Sequence, residues 1–122
     1  MFLSVYEAET RVALANFLSR NSLYLRQMTR QGINTAIVDY LSPYKPEWIG
    51  LFGSYARNED TDSSDIDILV RFKKTPSLLD LARIHRELSQ LLSKKVDVLT
   101  EAALKNEKLK KSIYKDLQLI FK

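Results

Sequence analysis

The fold is decided by Leu51-Phe52-Gly53-Ser54-Tyr55-Ala56-Arg57-Asn58-Glu59-Asp60-Thr61-Asp62-Ser63-Ser64-Asp65-Ile66-Asp67-Ile68-Leu69-Val70. An apolar run from Trp48 to Phe52 halts at Gly53-Ser54, and ten residues rich in polar and turn-forming types follow, Tyr55 to Ser64. Asp65 and Asp67 then alternate with Ile66, Ile68 and Val70. Strict alternation marks a strand with one buried face, in which residues i and i+2 point the same way. The two aspartates therefore project together, and the Ile and Val side chains enter a core.

Two carboxylates about 5–6 Å apart repel by roughly 3 kcal/mol at an effective dielectric near 20. A rigid strand that pairs them has a use for them, and a hard cation is the simplest. Mg²⁺ takes oxygen ligands, commonly one or two carboxylates together with substrate phosphates.

A third carboxylate follows in Lys94-Lys95-Val96-Asp97-Val98-Leu99. This β-branched run reads as another strand, with Asp97 on the face opposite Val96 and Val98. Paired beside the first aspartate strand, at the usual spacing of about 4.8 Å, it would bring Asp97 to Asp65 and Asp67. Three carboxylates in that arrangement suit two Mg²⁺ ions and in-line transfer at a phosphate.

Composition bounds the class. A chain of 122 residues, 45% hydrophobic and 28% charged, is one ordinary globular domain with room for a single core. No apolar run approaches the ~20 residues that span a membrane. The start, Met1-Phe2-Leu3-Ser4-Val5, lacks a basic segment and makes a poor signal peptide. There is no cysteine, hence no disulfide and no thiolate site, which fits a cytoplasmic protein. The net charge of +4 is concentrated near the C-terminus, at Lys105, Lys108, Lys110, Lys111, Lys115 and Lys122. A basic helix face is ordinarily a solvated one, so no nucleic-acid role is expected from it.

Residues 5–30 read as a helix, with Val5, Ala8, Val12, Ala15 and Leu18 at helical spacing and Gly32 as its stop. A second helix runs from Asn34 as N-cap to Leu41, burying Ile37, Val38 and Leu41. Pro43 and Pro46 turn the chain into the Trp48–Phe52 strand, which is continuously apolar and so expected to be covered on both faces. Gly53-Ser54 opens a tight turn suited to a phosphate cradle, with Tyr55 to Glu59 as a short helix. Asp60 and Asp62 read as turn residues.

Ser77 caps the next helix, with Asp80 in the capping-box place, and Leu78, Leu81, Ala82, Ile84, Leu88, Leu91 and Leu92 form its stripe. That helix joins the two aspartate strands as a βαβ-like crossover. The one histidine, His85, borders the stripe and reads as structural. Thr100 caps a Lys-rich helix to Lys115, and Leu117 to Phe121 reads as a terminal strand.

Gly53-Ser54, ten residues and Asp65-Ile66-Asp67, with Ser64 to Val70 and Lys95-Val96-Asp97-Val98-Leu99, resemble the minimal nucleotidyltransferases of the DNA polymerase beta-like superfamily. The resemblance implies an α/β (α+β) palm: a small mixed sheet of three or four strands flanked by helices. The nucleotidyltransferase domain would span 29–122, with residues 1–28 an N-terminal helical extension. Asn58 stands where the family usually has Gly; Asn tolerates a left-handed backbone, so the turn is expected to survive.

The family's activity would be transfer of AMP from ATP to an acceptor hydroxyl, with release of pyrophosphate. Asp65 and Asp67 would hold two Mg²⁺ ions, and Asp97 would share one and help activate the acceptor. Gly53 and Ser54 would bind the triphosphate, with Arg57 and Ser64 in supporting contact. Many members are antitoxins that AMPylate a HEPN-domain toxin on tyrosine, so a HEPN toxin is the implied partner. Two alternatives remain at this point. One is an inactive fold that neutralises its partner by binding; the other, less favoured, is a small-molecule adenylyltransferase, which generally carries a second, acceptor-binding domain, for which roughly 30 extra residues would be too few.

Overall fold

The computed structural model describes residues 29–60 and 64–122. The expected first helix over 5–30, the domain boundary after residue 28 and the turn role of Asp62 lie outside the described residues.

The first described helix, α1 (Arg30–Leu41), starts earlier than Asn34. Thr29 is its N-cap: its backbone is extended and its Oγ1 accepts from Gly32 N–H at 3.1 Å. A hydroxyl placed to satisfy a first-turn donor nucleates the helix there, and Gly32 is absorbed into that first turn instead of ending a preceding helix. Ile37, Tyr40 and Leu41 form the buried face, while Val38 is half-buried. A 3₁₀ turn over Ser42–Tyr44, with Pro43 near its start and Lys45 left-handed after it, redirects the chain.

Four strands make one sheet: β1 (Pro46–Phe52), β2 (Ile66–Phe72), β3 (Val96–Thr100) and β4 (Gln118–Phe121). Their order is β3-β2-β1-β4; β1 runs antiparallel to both β2 and β4, and β2 runs parallel to β3. Between β1 and β2 lies the short helix α2 (Gly53–Ala56). The parallel pair is joined by α3 (Leu78–Leu92), as a crossover requires, and α4 (Glu107–Asp116) precedes β4.

Ser77 caps α3 as the sequence predicts, its Oγ accepting from Asp80 N–H at 3.1 Å. The buried stripe is Ile84, Leu88, Leu91 and Leu92. Leu78 is 85% exposed, and Ala82 is exposed too, so the stripe is narrower than its apolar residues suggest. The inward face begins with Leu81, which packs on the core; the turn before it faces solvent.

One face of the sheet meets α1 and α3. Ile49 and Leu51 of β1, Ile66, Ile68 and Val70 of β2, and Val96 and Val98 of β3 fill this core. Burying side chains of that size stabilises the fold by about 1.5–3 kcal/mol each. Along the other face of β2 run Asp67, Leu69 and Arg71. Leu69 is fully buried there, which accounts for the apolar character of both strand faces. On β1, Trp48 meets the Tyr114 ring of α4 edge-on, with centroids 6.3 Å apart.

The Lys-rich helix begins later than predicted. Thr100 makes no side-chain cap; a 3₁₀ turn over Glu101–Ala103 comes first, and Asn106 Oδ1 takes Leu109 N–H at 3.0 Å to start α4. Lys105, Lys108, Lys111 and Lys115 are exposed, as expected of a solvated face.

β3 is an outer strand, and α3 covers its free edge. Ser89 Oγ accepts from Val96 N–H at 3.0 Å, and the two ring nitrogens of His85 lie 3.1 Å from the carbonyl oxygens of Val96 and Val98. Covering an edge with a helix removes a template for strand addition. Among the described residues, no helix is long and apolar enough to cross a membrane.

Candidate active site

The site forms where β1 ends and where β2 and β3 begin. Asp67 and Asp97 are register partners on the parallel pair, so both carboxylates leave the same face of neighbouring strands. Phe52, the last residue of β1, is the register partner of Asp67 on its other side. Gly53 therefore turns directly over the Asp67 carboxylate.

The fit at that glycine is close. Its φ is +76°, and a Cβ there would lie 2.3 Å from Asp67 Oδ2 and 3.3 Å from Cγ. Both observations demand glycine: the backbone is left-handed, and the carboxylate occupies the space a side chain needs. Asp65 sits one residue before β2, beside Lys95, whose Nζ is 3.7 Å from its Oδ2. The chain is anchored there by Ile66 N–H donating to Lys95 O at 3.0 Å.

The electrostatics match this crowding. Burial pushes the Asp67 carboxyl above the usual carboxylate range, and the charges of Asp97 and Asp65 push it further. Lys95 and Arg57 act in the opposite sense and do not cancel the rise. A half-buried carboxylate raised by two neighbours of like charge is disposed to take a cation.

As the side chains stand, no group of three acidic, histidine or cysteine residues among the described residues closes around a single ion. What the backbone does assemble is the Asp67–Asp97 pair, with Asp65 drawn toward Lys95. Hard oxygen donors, mutual repulsion and a glycine cradle suit a divalent cation whose remaining ligands come from phosphates and water.

Gly53 and Ser54 begin α2, a helix of four residues. So short a helix is marginal by itself and depends on what satisfies its ends. Its carbonyls are fully engaged: Gly53 O accepts from Arg57 N–H, Ser54 O from Glu59 N–H, and Tyr55 O from Asn58 N–H. Tyr55 O also takes Arg30 Nη1 at 2.6 Å, and Ala56 O takes Gln118 Nε2 at 2.8 Å. Asn58 has φ +59°, so the left-handed turn that the family's usual Gly would make is kept. That conformation ends α2 before the expected Glu59.

Arg57 is exposed and held by two acids, its Nε 2.9 Å from Glu59 Oε2 and Nη1 2.8 Å from Asp116 Oδ2. Direct phosphate contact by Arg57 would fall to the donors these two acids leave over, those of Nη2 among them. Ser64 is half-buried just before Asp65. Asp60 lies past the turn of Arg57 and Asn58, in irregular chain, and pairs with Arg30. Arg30 and Gln118 carry no motif, and their parts at α2 were not readable from the sequence. A separate pocket of about 210 Å³, lined by Val38, Ser42, Lys45, Pro46, Lys73 and Phe121, lies at the opposite end of β1 and β2 from the carboxylates.

A mixed sheet that presents paired aspartates beside a Gly-Ser turn defines a nucleotidyltransferase palm. The comparisons agree: the family described as "Polymerase beta, Nucleotidyltransferase" matches residues 35–122, and the chain belongs to it. Within that family it is similar to a Methanocaldococcus jannaschii protein described as a candidate protein adenylyltransferase, with 53% identity over 74 residues, 61% of this chain and 76% of the relative. It is similar also to the protein adenylyltransferase MntA of Thermococcus cleftensis, with 45% identity over 58 residues, 48% of this chain and 59% of that one. The fold matches that in a structure described as a tri-AMPylated Shewanella oneidensis HEPN toxin in complex with MNT antitoxin. There the TM-score is 0.64 at 22% identity, over 76% of this chain and 72% of that one. The protein is thus a small nucleotidyltransferase of the polymerase beta family.

Proposed function

We propose that this protein is a Mg²⁺-dependent protein adenylyltransferase that transfers AMP from ATP to a tyrosine hydroxyl of a HEPN-domain toxin, and so acts as its antitoxin. One observation carries the reading: Asp67 and Asp97 are paired across β2 and β3 with Gly53 turned over Asp67. The relatives' names and the fold shared with an MNT–HEPN complex support the acceptor class.

Asp65, Asp67 and Asp97 are the residues that would hold two divalent ions, with Asp97 also receiving the hydrogen bond of the acceptor hydroxyl. Bound metal would supply charge neutralisation on the triphosphate and alignment of the entering and leaving oxygens. Gly53 lets the backbone approach a phosphate, and Ser54 offers a hydroxyl and an N–H beside it. Ser64 supports the entry to β2. In the transfer, the tyrosine oxygen bonds to the α-phosphorus as the bond to pyrophosphate breaks, and the phenolic proton passes to a nearby carboxylate or water. Residues 1–28, an expected helical extension, would add contact area for the toxin.

The test is incubation of the protein with α-labelled ATP, Mg²⁺ and a HEPN protein encoded beside it. Label should appear on a tyrosine of the HEPN protein and be lost with Asp65→Ala/Asp67→Ala. If that double variant labels as well as the wild type, the reading is wrong. If it still neutralises the toxin without labelling, the protein acts by binding alone.

A further inference from the structure

Among the described contacts, three long-range ties converge on α2 and the turn after it. Arg30 reaches from the first turn of α1: Nη1 donates to Tyr55 O at 2.6 Å, Nη2 pairs with Asp60, and its guanidinium carbon lies 4.1 Å from the Tyr55 ring centroid. From the start of β4, Gln118 Nε2 donates to Ala56 O at 2.8 Å. At the end of α4, Asp116 holds Arg57 at 2.8 Å. These ties span 25, 62 and 59 residues of sequence.

The carbonyls of Tyr55 and Ala56 are the ones a four-residue helix leaves least satisfied from within. Without the two side chains, Ala56 O loses its side-chain donor, and Tyr55 O keeps only local backbone donors, Asn58 N–H at 3.3 Å and a share of Arg57 N–H. The buried Tyr55 and Ala56 side chains seat the helix on the core, and the two side-chain bonds act at its carbonyl end to fix the direction of its axis. That axis sets where Gly53 stands over Asp67, a contact with no slack, because the carboxylate already occupies the place of a Cβ.

We propose that Arg30 and Gln118 are positioning residues: they clamp the C-terminal carbonyls of α2 and so hold the Gly53-Ser54 turn in register with the Asp67 carboxylate for nucleotide binding. The proposal rests on the adenylyl-transfer reading for its ligand, but the clamp itself exists without nucleotide. Arginine suits the first position because its planar fork can bond a carbonyl and a carboxylate at once while stacking on a ring. A lysine keeps the charge and loses the fork.

The test compares full-length wild type, Arg30→Ala, Arg30→Lys, Gln118→Ala and a control for the exchange reading, His85→Ala, whose bonds go to the β3 edge and not to α2. Amide exchange is read first, without nucleotide. The amides of Arg57, Asn58 and Glu59, which close α2, should exchange about tenfold faster in Arg30→Ala and Gln118→Ala, and at an intermediate rate in Arg30→Lys. In His85→Ala they should keep the wild-type rate, even at an equal loss of Tm. Titration with MgATP should then show Kd about tenfold weaker in the two alanine variants, with transfer at saturating ATP changed by less than about threefold.

Wild-type exchange at those amides in Arg30→Ala, or fast exchange with an unchanged Kd, overturns the proposal. If the wild type binds no MgATP, the adenylyl-transfer reading falls, and with it the nucleotide role of the clamp; the exchange rates then still show whether Arg30 holds the turn.

Discussion

Replacing Asp67 by Asn will abolish AMP transfer and, at neutral pH, raise the melting temperature of the metal-free protein. The two effects share one cause. The carboxyl is pushed above its usual range by burial first and then by Asp97 and Asp65, so its ionised form is a burden on the folded state. The sign follows from linkage. A carboxyl with a raised folded pKa destabilises the fold in full above that pKa, and the cost is relieved as pH falls toward the unfolded value. The Asn variant should therefore melt above the wild type in EDTA at pH 7, with the gap closing as pH drops through the raised pKa. Transfer should fall about 10³-fold or more, the equivalent of about 4 kcal/mol of transition-state stabilisation. A variant that melts lower than wild type at pH 7, or that still turns over, contradicts the assignment of Asp67.

Gly53→Ala is the second large effect, and it tests the contact between turn and carboxylate. At φ +76° an alanine costs about 1–2 kcal/mol in backbone strain alone. Its Cβ also meets Asp67 Oδ2 at 2.3 Å, so either the turn or the carboxylate must move. A displacement near 1 Å at a reacting centre is worth about 10²-fold, and that loss is expected in MgATP affinity and transfer. Tm should fall by about 5–10 °C, read by thermal melt. A double-mutant cycle isolates the contact: with Asp67→Ala the clash partner is gone, so Gly53→Ala should cost markedly less there. Strictly additive losses would mean that the two residues do not meet.

Much of this site was legible because its signal is local. The alternation of Ile66, Asp67, Ile68 places Asp67 on one face of a strand whatever its neighbours are, and the same holds for Val96, Asp97, Val98. Bringing the two aspartates side by side needed only a parallel pair, which the amphipathic run between Ser77 and Leu92 supplied. The left-handed turn at Asn58 followed from the Gly that the resembled family usually has there, together with the tolerance of Asn for that backbone.

What stayed hidden is set by competition or by distance. Thr29 and Asn34 are both able caps, and the earlier one wins by bonding Gly32 N–H. Thr100 and Asn106 compete in the same way before α4, and there the later one takes the free donor. Leu78 and Ala82 fit an apolar stripe by spacing yet stand outside the core, because periodicity does not say how far a helix overhangs its sheet. Arg30 and Gln118 reach α2 across 25 and 62 residues, and no local pattern announces such a contact.

The central claim is that Asp67, Asp97 and the Gly53 turn form one site for a divalent ion and a nucleotide tail. Amide spectra of the labelled protein, recorded as Mn²⁺ and a non-hydrolysable ATP analogue are added together, test it most directly. Paramagnetic broadening should erase the signals of Gly53, Ser54, Asp67 and Asp97 first, and leave those of Lys45 and Lys73, at the other end of β1 and β2, sharp. Broadening centred on any other part of the fold, or none at saturating analogue, would contradict it.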